Sequence, residues 1–369
     1  MSLPLTGFRI LTLAHLYPGP FATMLLADLG ADVVIVEGPG SPDRTRRFPG
    51  HFEALNRNKR AVAIDLKDPV GREAFLRLVE TADVVLEGFR PGVMARLGLA
   101  AEQLKERNPR LICVSLSGYG QTGPMASHGA HDISLQGAAG MLDIPVGEEA
   151  QRGLPPFVMA DLAAANAAAL AITTALVQRE RTGHAAEVDV SMLDSIVAWM
   201  TPALVPAWND MKPARLPPTD PGYGVFATRD GQQLTLSISG EDHLWRALCD
   251  VVGLPQHRDL SEEERIRDRS RVQAELREAM AVHDADWLEQ HLEEQKLPFG
   301  PVRSLMAVAQ DPQVVARKLV VDFRKNDGSV LRYVRQPLVF DGQYTSVERM
   351  APRLGEHNDE LLGNRSWNN

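Results

Sequence analysis

Three acids and a histidine stand where side-chain chemistry is possible. Asp161 follows the apolar residues 157–160 and opens an Ala/Leu-rich helical run over 160–181. An aspartate there has two uses: it caps orphan backbone N–H groups, or it serves as nucleophile or proton carrier if it faces a cavity. His131, followed by Asp132, falls in a Gly-rich connection after the loop SGYGQTGP. An imidazole exchanges its proton near neutral pH, and the adjacent carboxylate could orient the ring; a loop histidine otherwise serves as a surface or hydrogen-bonding residue. Glu241 precedes DHLWRALCDVVG and suits a helix N-terminal acid. Position alone favours the structural use in each case.

The elements that must hold these residues begin as strand, helix, strand. Residues 8–13 are a β-rich run, 19–29 read as a helix, and 31–37 (ADVVIVE) as a buried strand. The alternation continues through a strand at 61–66, a helix over 71–81, a strand at 83–86, a helix over 101–107 and a strand at 111–117. That is the pattern of a doubly wound parallel α/β sheet with right-handed crossovers. The segment 188–200 reads as a further helix, and the Pro/Asp/Gly/Tyr cluster at 218–224 as a domain break. Beyond it come a strand pair with a turn at Asp230-Gly231, a helix over 242–252 and a charged helical stretch over 262–281. Strand signals run from 319 to 339, and 352–362 can return to cover the first domain.

Composition narrows the partners. A chain of 369 residues has room for a large core and a smaller one. Its formal net charge of −9 argues against a polyanionic partner such as nucleic acid, which needs a basic surface, while local arginines can still hold a small anion. No run of about 18 apolar residues signals a membrane span, and MSLPLTGFRILTL lacks a signal-peptide pattern; the expectation is a cytoplasmic protein. Cys113 and Cys249 lie in apolar stretches without neighbouring ligands and read as buried thiols, so no metal site is expected.

Taken in order, the stretches PGPFATMLLADLGADVVIVE, NRNKRAVAIDLK, EGFRPGVMARLGL, LICVSLSGYGQTGP, AHDISLQGAAGML, RERTGHAAEVDVSMLD and PRLGEHNDELL span nearly the whole chain. Together they resemble the CaiB/BaiF family, which comprises class III CoA-transferases and 2-methylacyl-CoA racemases. The resemblance implies a Rossmann-like doubly wound large domain (1–215 plus 330–369) with an inserted smaller α+β domain (220–325). It also implies that two ring-shaped chains interlock as a homodimer. The substrate would be a coenzyme A thioester, with no permanently bound cofactor.

The same resemblance assigns roles. Asp161 falls at the family's catalytic aspartate, His131-Asp132 resembles the motif that carries one racemase base, and Glu241 matches an acid that racemases bring from the small domain. For CoA it points to Arg90 in EGFRPG, to Asn58 and Lys59, to Gly118, Tyr119 and Gly120, and to Asp132. Where the family often has an arginine after the second strand, this chain has Gly38. Two chemistries share such a scaffold. In the racemase, His131 and Asp161 would take and return a proton on opposite faces of the α-carbon. In the transferase, Asp161 would attack the thioester. The His-Asp pair, the PGPF opening and the lack of a glycine run in the small domain lean to epimerisation of a 2-methylacyl-CoA. The GEDHLW segment and the alanines at 163–165 lean to CoA transfer, the alternative.

Overall fold

Short apolar strands alternating with helices bury both faces of a sheet and close in parallel. In the computed structural model, which describes residues 3–144, 156–211 and 220–363, the first elements are β1 (Arg9–Thr12), α1 (Pro18–Asp28), β2 (Asp32–Glu37), α2 (Pro49–Asn56), β3 (Arg60–Ala63), α3 (Pro69–Val79) and β4 (Val84–Glu87). They continue with α4 (Val93–Arg96), α5 (Ala101–Arg107), β5 (Ile112–Ser117), α6 (Asp132–Ala138), α7 (Met159–Thr182), β6 (Glu187–Ser191), α8 (Met192–Trp199) and α9 (Thr201–Trp208). The six strands form one sheet in the order β3-β2-β1-β4-β5-β6, and every pairing is parallel. Strand order reverses between β1 and β4, where a crevice opens at the carboxyl ends.

Side chains alternate across the sheet. Ile10, Val33, Val84 and Ile112 face the layer built by α1 and α7, whereas Leu11, Val34 and Val85 face Phe75, Leu78 and Leu104 of α3 and α5. Each such side chain contributes roughly 1.5–3 kcal/mol on burial. Among the described residues α7 alone is long and apolar enough to cross a membrane, with mean hydropathy 1.5; Asp161 and Asn166 interrupt its apolar run, so a search for unbroken apolar sequence passes it by. It packs instead against α1, α6, α8 and β5, with Ala160, Ala164, Ala165 and Ala168 fully buried.

Later elements are β7 (Tyr223–Ala227), β8 (Gln233–Ser237), α10 (Asp242–Val252), α11 (Glu262–Arg267), α12 (Arg269–Ala281), α13 (Ala285–Glu294), β9 (Phe299–Pro301), α14 (Pro312–Ala316), β10 (Val320–Arg324), β11 (Val330–Val334), β12 (Val339–Phe340), β13 (Gln343–Tyr344) and α15 (Asn358–Leu361). The chain divides into two compact units, Met1–Thr201 with Val315–Asn369, and Pro202–Val314. The second has its own core of Phe226, Trp245, Leu276 and Leu288. There Arg265, fully buried, joins Asp220 at 2.8 Å and Asp242 at 2.7 Å and lies 4.9 Å from the Trp245 ring centroid.

Three expectations change. Residues 188–200 are not one helix: EVDVS alternates with period two, pairs with β5 from Cys113↔Glu187 to Ser117↔Ser191, and only then does Ser191 cap α8 by accepting the Asp194 N–H at 3.1 Å. The charged stretch 262–281 breaks at Asp268, which ends α11 and precedes α12. The boundaries expected at 215, 220, 325 and 330 move to 201/202 and 314/315, because the β10–β11 hairpin belongs with the large unit. Tyr333 there donates to Glu53. The break near residue 218 lies outside the described residues.

Candidate active site

A cavity of about 750 Å³ opens at the carboxyl ends of β1, β4 and β5, the position the strand order calls for. Its wall comes from the segments that leave these strands: Ala14 and His15 after β1, Gly88 and Arg90 after β4, Gly118 after β5. His131 and Asp161 complete it. The α1 helix can start this close to the strand end because Gly19 has no Cβ; one built there would stand 2.2 Å from the Ala14 Cβ. Gly120, at φ +80°, turns the chain after β5, which lets the Gln121 N–H reach Asp189 at 2.8 Å.

Asp161 sits in the first turn of α7, yet it does not cap that helix. The N-cap is Val158, which has no side-chain capping bond, and the work passes to Asp132. Its Oδ1 accepts the Ala160 N–H at 2.7 Å and the Asp161 N–H at 3.3 Å, while Oδ2 accepts from Gln136. Among the described residues the Asp161 carboxyl has no such bond, and it lines the cavity. Burial, and then the nearby Asp132 charge, push its carboxyl up to about 7. Tyr17, the N-cap of α1, is also raised, chiefly by burial and then by Asp161.

His131 is the N-cap residue of α6, without a side-chain capping bond, and is exposed. The expected orientation of its ring by Asp132 is not seen: among the described residues no hydrogen bond joins the two, and the Asp132 oxygens serve α7 and Gln136. Beside this cavity lies a second, more apolar one of about 430 Å³, lined by Val36, Ile64, Leu66 and Leu97; the two share His15, Leu16, Arg44 and Phe89.

Comparison with known proteins decides what this arrangement belongs to. The profile of CoA-transferase family III matches residues 5–358. The chain belongs to CoA-transferase family III. It is 34% identical to a succinate–glutarate CoA-transferase of Agrobacterium fabrum, covering 97% of this chain and 95% of that one. It is 35% identical to an acetyl-CoA:oxalate CoA-transferase of Acetobacter aceti, again over 97% and 95%. Among solved structures, Rv3272 of M. tuberculosis superposes with TM-score 0.86 at 32% identity, covering 98% of this chain and 99% of that one. A CaiB/BaiF family protein of Brucella suis gives 0.85 at 30%, over 97% and 98%.

As a family III CoA-transferase the chain takes a CoA thioester as substrate, and the residues expected to hold CoA divide. Arg90 lines the Asp161 cavity, its guanidinium so near Gly129 that a Cβ there would come within 2.7 Å. Gly118 lines it too, and its carbonyl accepts the Leu193 N–H at 3.0 Å. Tyr119 packs against the core instead, and neither it nor Gly120 lines the cavity.

Lys59 and Asn58 are corrections. Lys59 is fully buried, its ammonium donating to the Pro20 carbonyl and Asn56 Oδ1, both at 2.8 Å, and burial holds it well below the usual lysine range. Asn58, at φ 61°, donates to Asp28 at 2.8 Å and Ser346 at 3.0 Å and accepts the Glu348 N–H at 2.7 Å, clasping the C-terminal segment. Glu241 lies in the second unit as the N-cap residue of α10, where its carboxylate accepts the Ser239 N–H at 2.7 Å; the structure gives it a local turn-holding bond.

Two further arginines are likewise engaged. Arg229 pairs with Asp284, and Arg335 donates to the Lys318 and Arg317 carbonyls; Arg152 lies outside the described residues. Cys113 and Cys249 are buried free thiols, both pushed up to about 12 by burial. No cluster of three metal-ligating side chains occurs among the described residues. The sequence reading missed His15, Arg44 and Tyr17. The rule that α/β ligands meet the residues just past the strand ends would have found His15.

Proposed function

We propose that this chain transfers CoA between carboxylic acids, with Asp161 as the nucleophile. The observation that carries the reading is the division of labour at the start of α7: Asp132 accepts the Ala160 and Asp161 N–H groups, and the Asp161 carboxyl lines the cavity with no hydrogen-bond or ion-pair partner among the described residues. In its ionised form that carboxylate attacks the thioester carbonyl, expels CoA thiolate and forms a mixed anhydride. The thiolate then attacks the aspartyl carbonyl, releasing the first acid and leaving an aspartyl-CoA thioester. The acceptor carboxylate attacks that thioester to form a second anhydride and free thiolate. Attack of this thiolate on the acceptor's acyl carbon yields the new acyl-CoA and returns Asp161.

Epimerisation of a 2-methylacyl-CoA, the reading the sequence favoured, gives way to this alternative. The two curated relatives named above are called CoA-transferases, and among the described residues no carboxylate holds the His131 ring. One of those names joins two short dicarboxylates and the other includes oxalate, so succinate, glutarate and oxalate are the first acceptors to try. The test is proton NMR in deuterated water with an acyl-CoA, with and without acceptor acid. New acyl-CoA formed only with acceptor, and lost in Asp161→Ala, supports transfer. Deuterium entering the α-position without acceptor, and lost in His131→Ala, would overturn it.

The working form we infer is a homodimer of interlocked chains in the cytoplasm. What supports a partner copy is the apolar surface one chain leaves open: Leu305 is 93% exposed, Met306 83% and Trp208 69%, large side chains that a second copy would cover. Two free thiols suit a reducing compartment.

A further inference from the structure

The wall that the two cavities share carries a cation that no described residue engages. Of the residues common to both walls, Arg44 is the charged one. Among the described residues its guanidinium has no hydrogen-bond or ion-pair partner, in contrast to Arg46 two positions on. Arg46 turns inward, binding Glu37 through Nε at 2.8 Å and the Pro352 carbonyl at 3.0 Å, and covering the Phe52 ring.

The loop that presents Arg44 is tied down on both sides. Asp43 accepts the Thr45 N–H and hydroxyl at 2.8 Å and the Leu16 N–H at 3.1 Å, and donates its own N–H to Glu37 at 3.0 Å. A held backbone lowers the ordering cost of binding. A second group at the same passage awaits a partner: His15 Nε2 is buried without a hydrogen bond, a situation that a ligand would relieve. Gly38, at the end of β2, offers no side chain, and a Cβ there would stand 2.6 Å from Ser41 Oγ.

We propose that Arg44 is the clamp for the diphosphate of CoA, stationed where the molecule passes from the apolar cavity toward Asp161. The inference rests on the CoA-transferase reading. A coenzyme whose base fills the apolar cavity and whose thiol end reaches Asp161 must thread its diphosphate and the start of its pantetheine arm through this passage. A guanidinium fork matches a diphosphate in two parallel charge-assisted bonds.

The test is calorimetric titration of the full-length protein with CoA and with dephospho-CoA, which keeps the diphosphate and lacks the 3′-phosphate. Arg44→Ala is expected to weaken both ligands equally, about 10-fold to 100-fold, with an unchanged melting temperature; Arg44→Lys is expected to recover part of the loss. Unchanged CoA affinity in Arg44→Ala would overturn the clamp. So would a loss seen for CoA but not for dephospho-CoA, which would move Arg44 to the 3′-phosphate. A protein that binds CoA through Arg44 yet transfers no acyl group would support the clamp and remove the transfer reading, so the two failures separate.

Discussion

At the scale of single residues, one aspartate relieves another of a capping task. Asp132 lies 28 positions before the Ala160 N–H it accepts, so it does a task that sequence proximity would give to Asp161. A nucleophilic carboxylate must be ionised, and Asp161 ionises near pH 7. The expected kcat/KM against pH therefore rises through that region; a profile flat from pH 5 to 8 would count against Asp161 as nucleophile. Stability carries the opposite sign. A carboxyl raised in the folded state costs stability once it ionises, so the cost is full above pH 7 and fades as pH falls toward the unfolded value near 4. Asp161→Asn should thus melt higher than the parent at pH 8, with a difference that shrinks at pH 5. Asp132→Ala should cost about 1–2 kcal/mol of unfolding free energy by removing the cap. Where that variant still turns over, its acid limb should shift to lower pH, because a negative neighbour is gone.

At the scale of elements, the sheet was legible and its last strand was not. Strands at 8–13, 31–37 and 111–117 are apolar runs whose neighbours are helices, a signal that needs no tertiary knowledge. In β6 the five residues Glu187–Ser191 run straight into α8, and the apolar content of the helix hides the period-two alternation before it. Lys59 failed for a different reason. The family resemblance points to Lys59 as a CoA contact, and only the packing of α1 and α2 brings the Pro20 carbonyl and Asn56 Oδ1 to its ammonium. Lys59→Met tests this: it leaves two buried acceptors unpaired, each costing about 1–3 kcal/mol. Urea unfolding should show a large loss while CoA affinity in the folded protein stays near the parent value. A variant of parental stability with weakened CoA binding would restore the phosphate role. The C-terminal tail was read correctly as a cover. His357 donates its N–H to the Ala61 carbonyl at 3.0 Å, Asn358 accepts the Ala63 N–H at 2.9 Å, and Leu361 enters the core, so the free edge of β3 is closed.

At the scale of the whole molecule, charge and apolar surface make different demands. A net charge of −9 disfavours long-range capture of a polyanion, so the proposed CoA site relies on a few local cations such as Arg44 and Arg90. The apolar side chains left open on a single chain call for cover, and the segment with Leu305 and Met306 is the most exposed of them. A protein that carried such a patch as a monomer would tend to associate without order. A partner chain that buries it would instead make stability depend on protein concentration, because binding and folding are then linked. Light scattering should give twice the mass of one chain, and the melting temperature should rise with concentration. Charged replacements, Leu305→Glu with Met306→Glu, are expected to lower the mass toward that of one chain and to reduce turnover, with far-ultraviolet circular dichroism retained. If the doubly charged variant keeps both the doubled mass and the parental activity, this segment is outside the interface, and the cover for Trp208 becomes the next place to look.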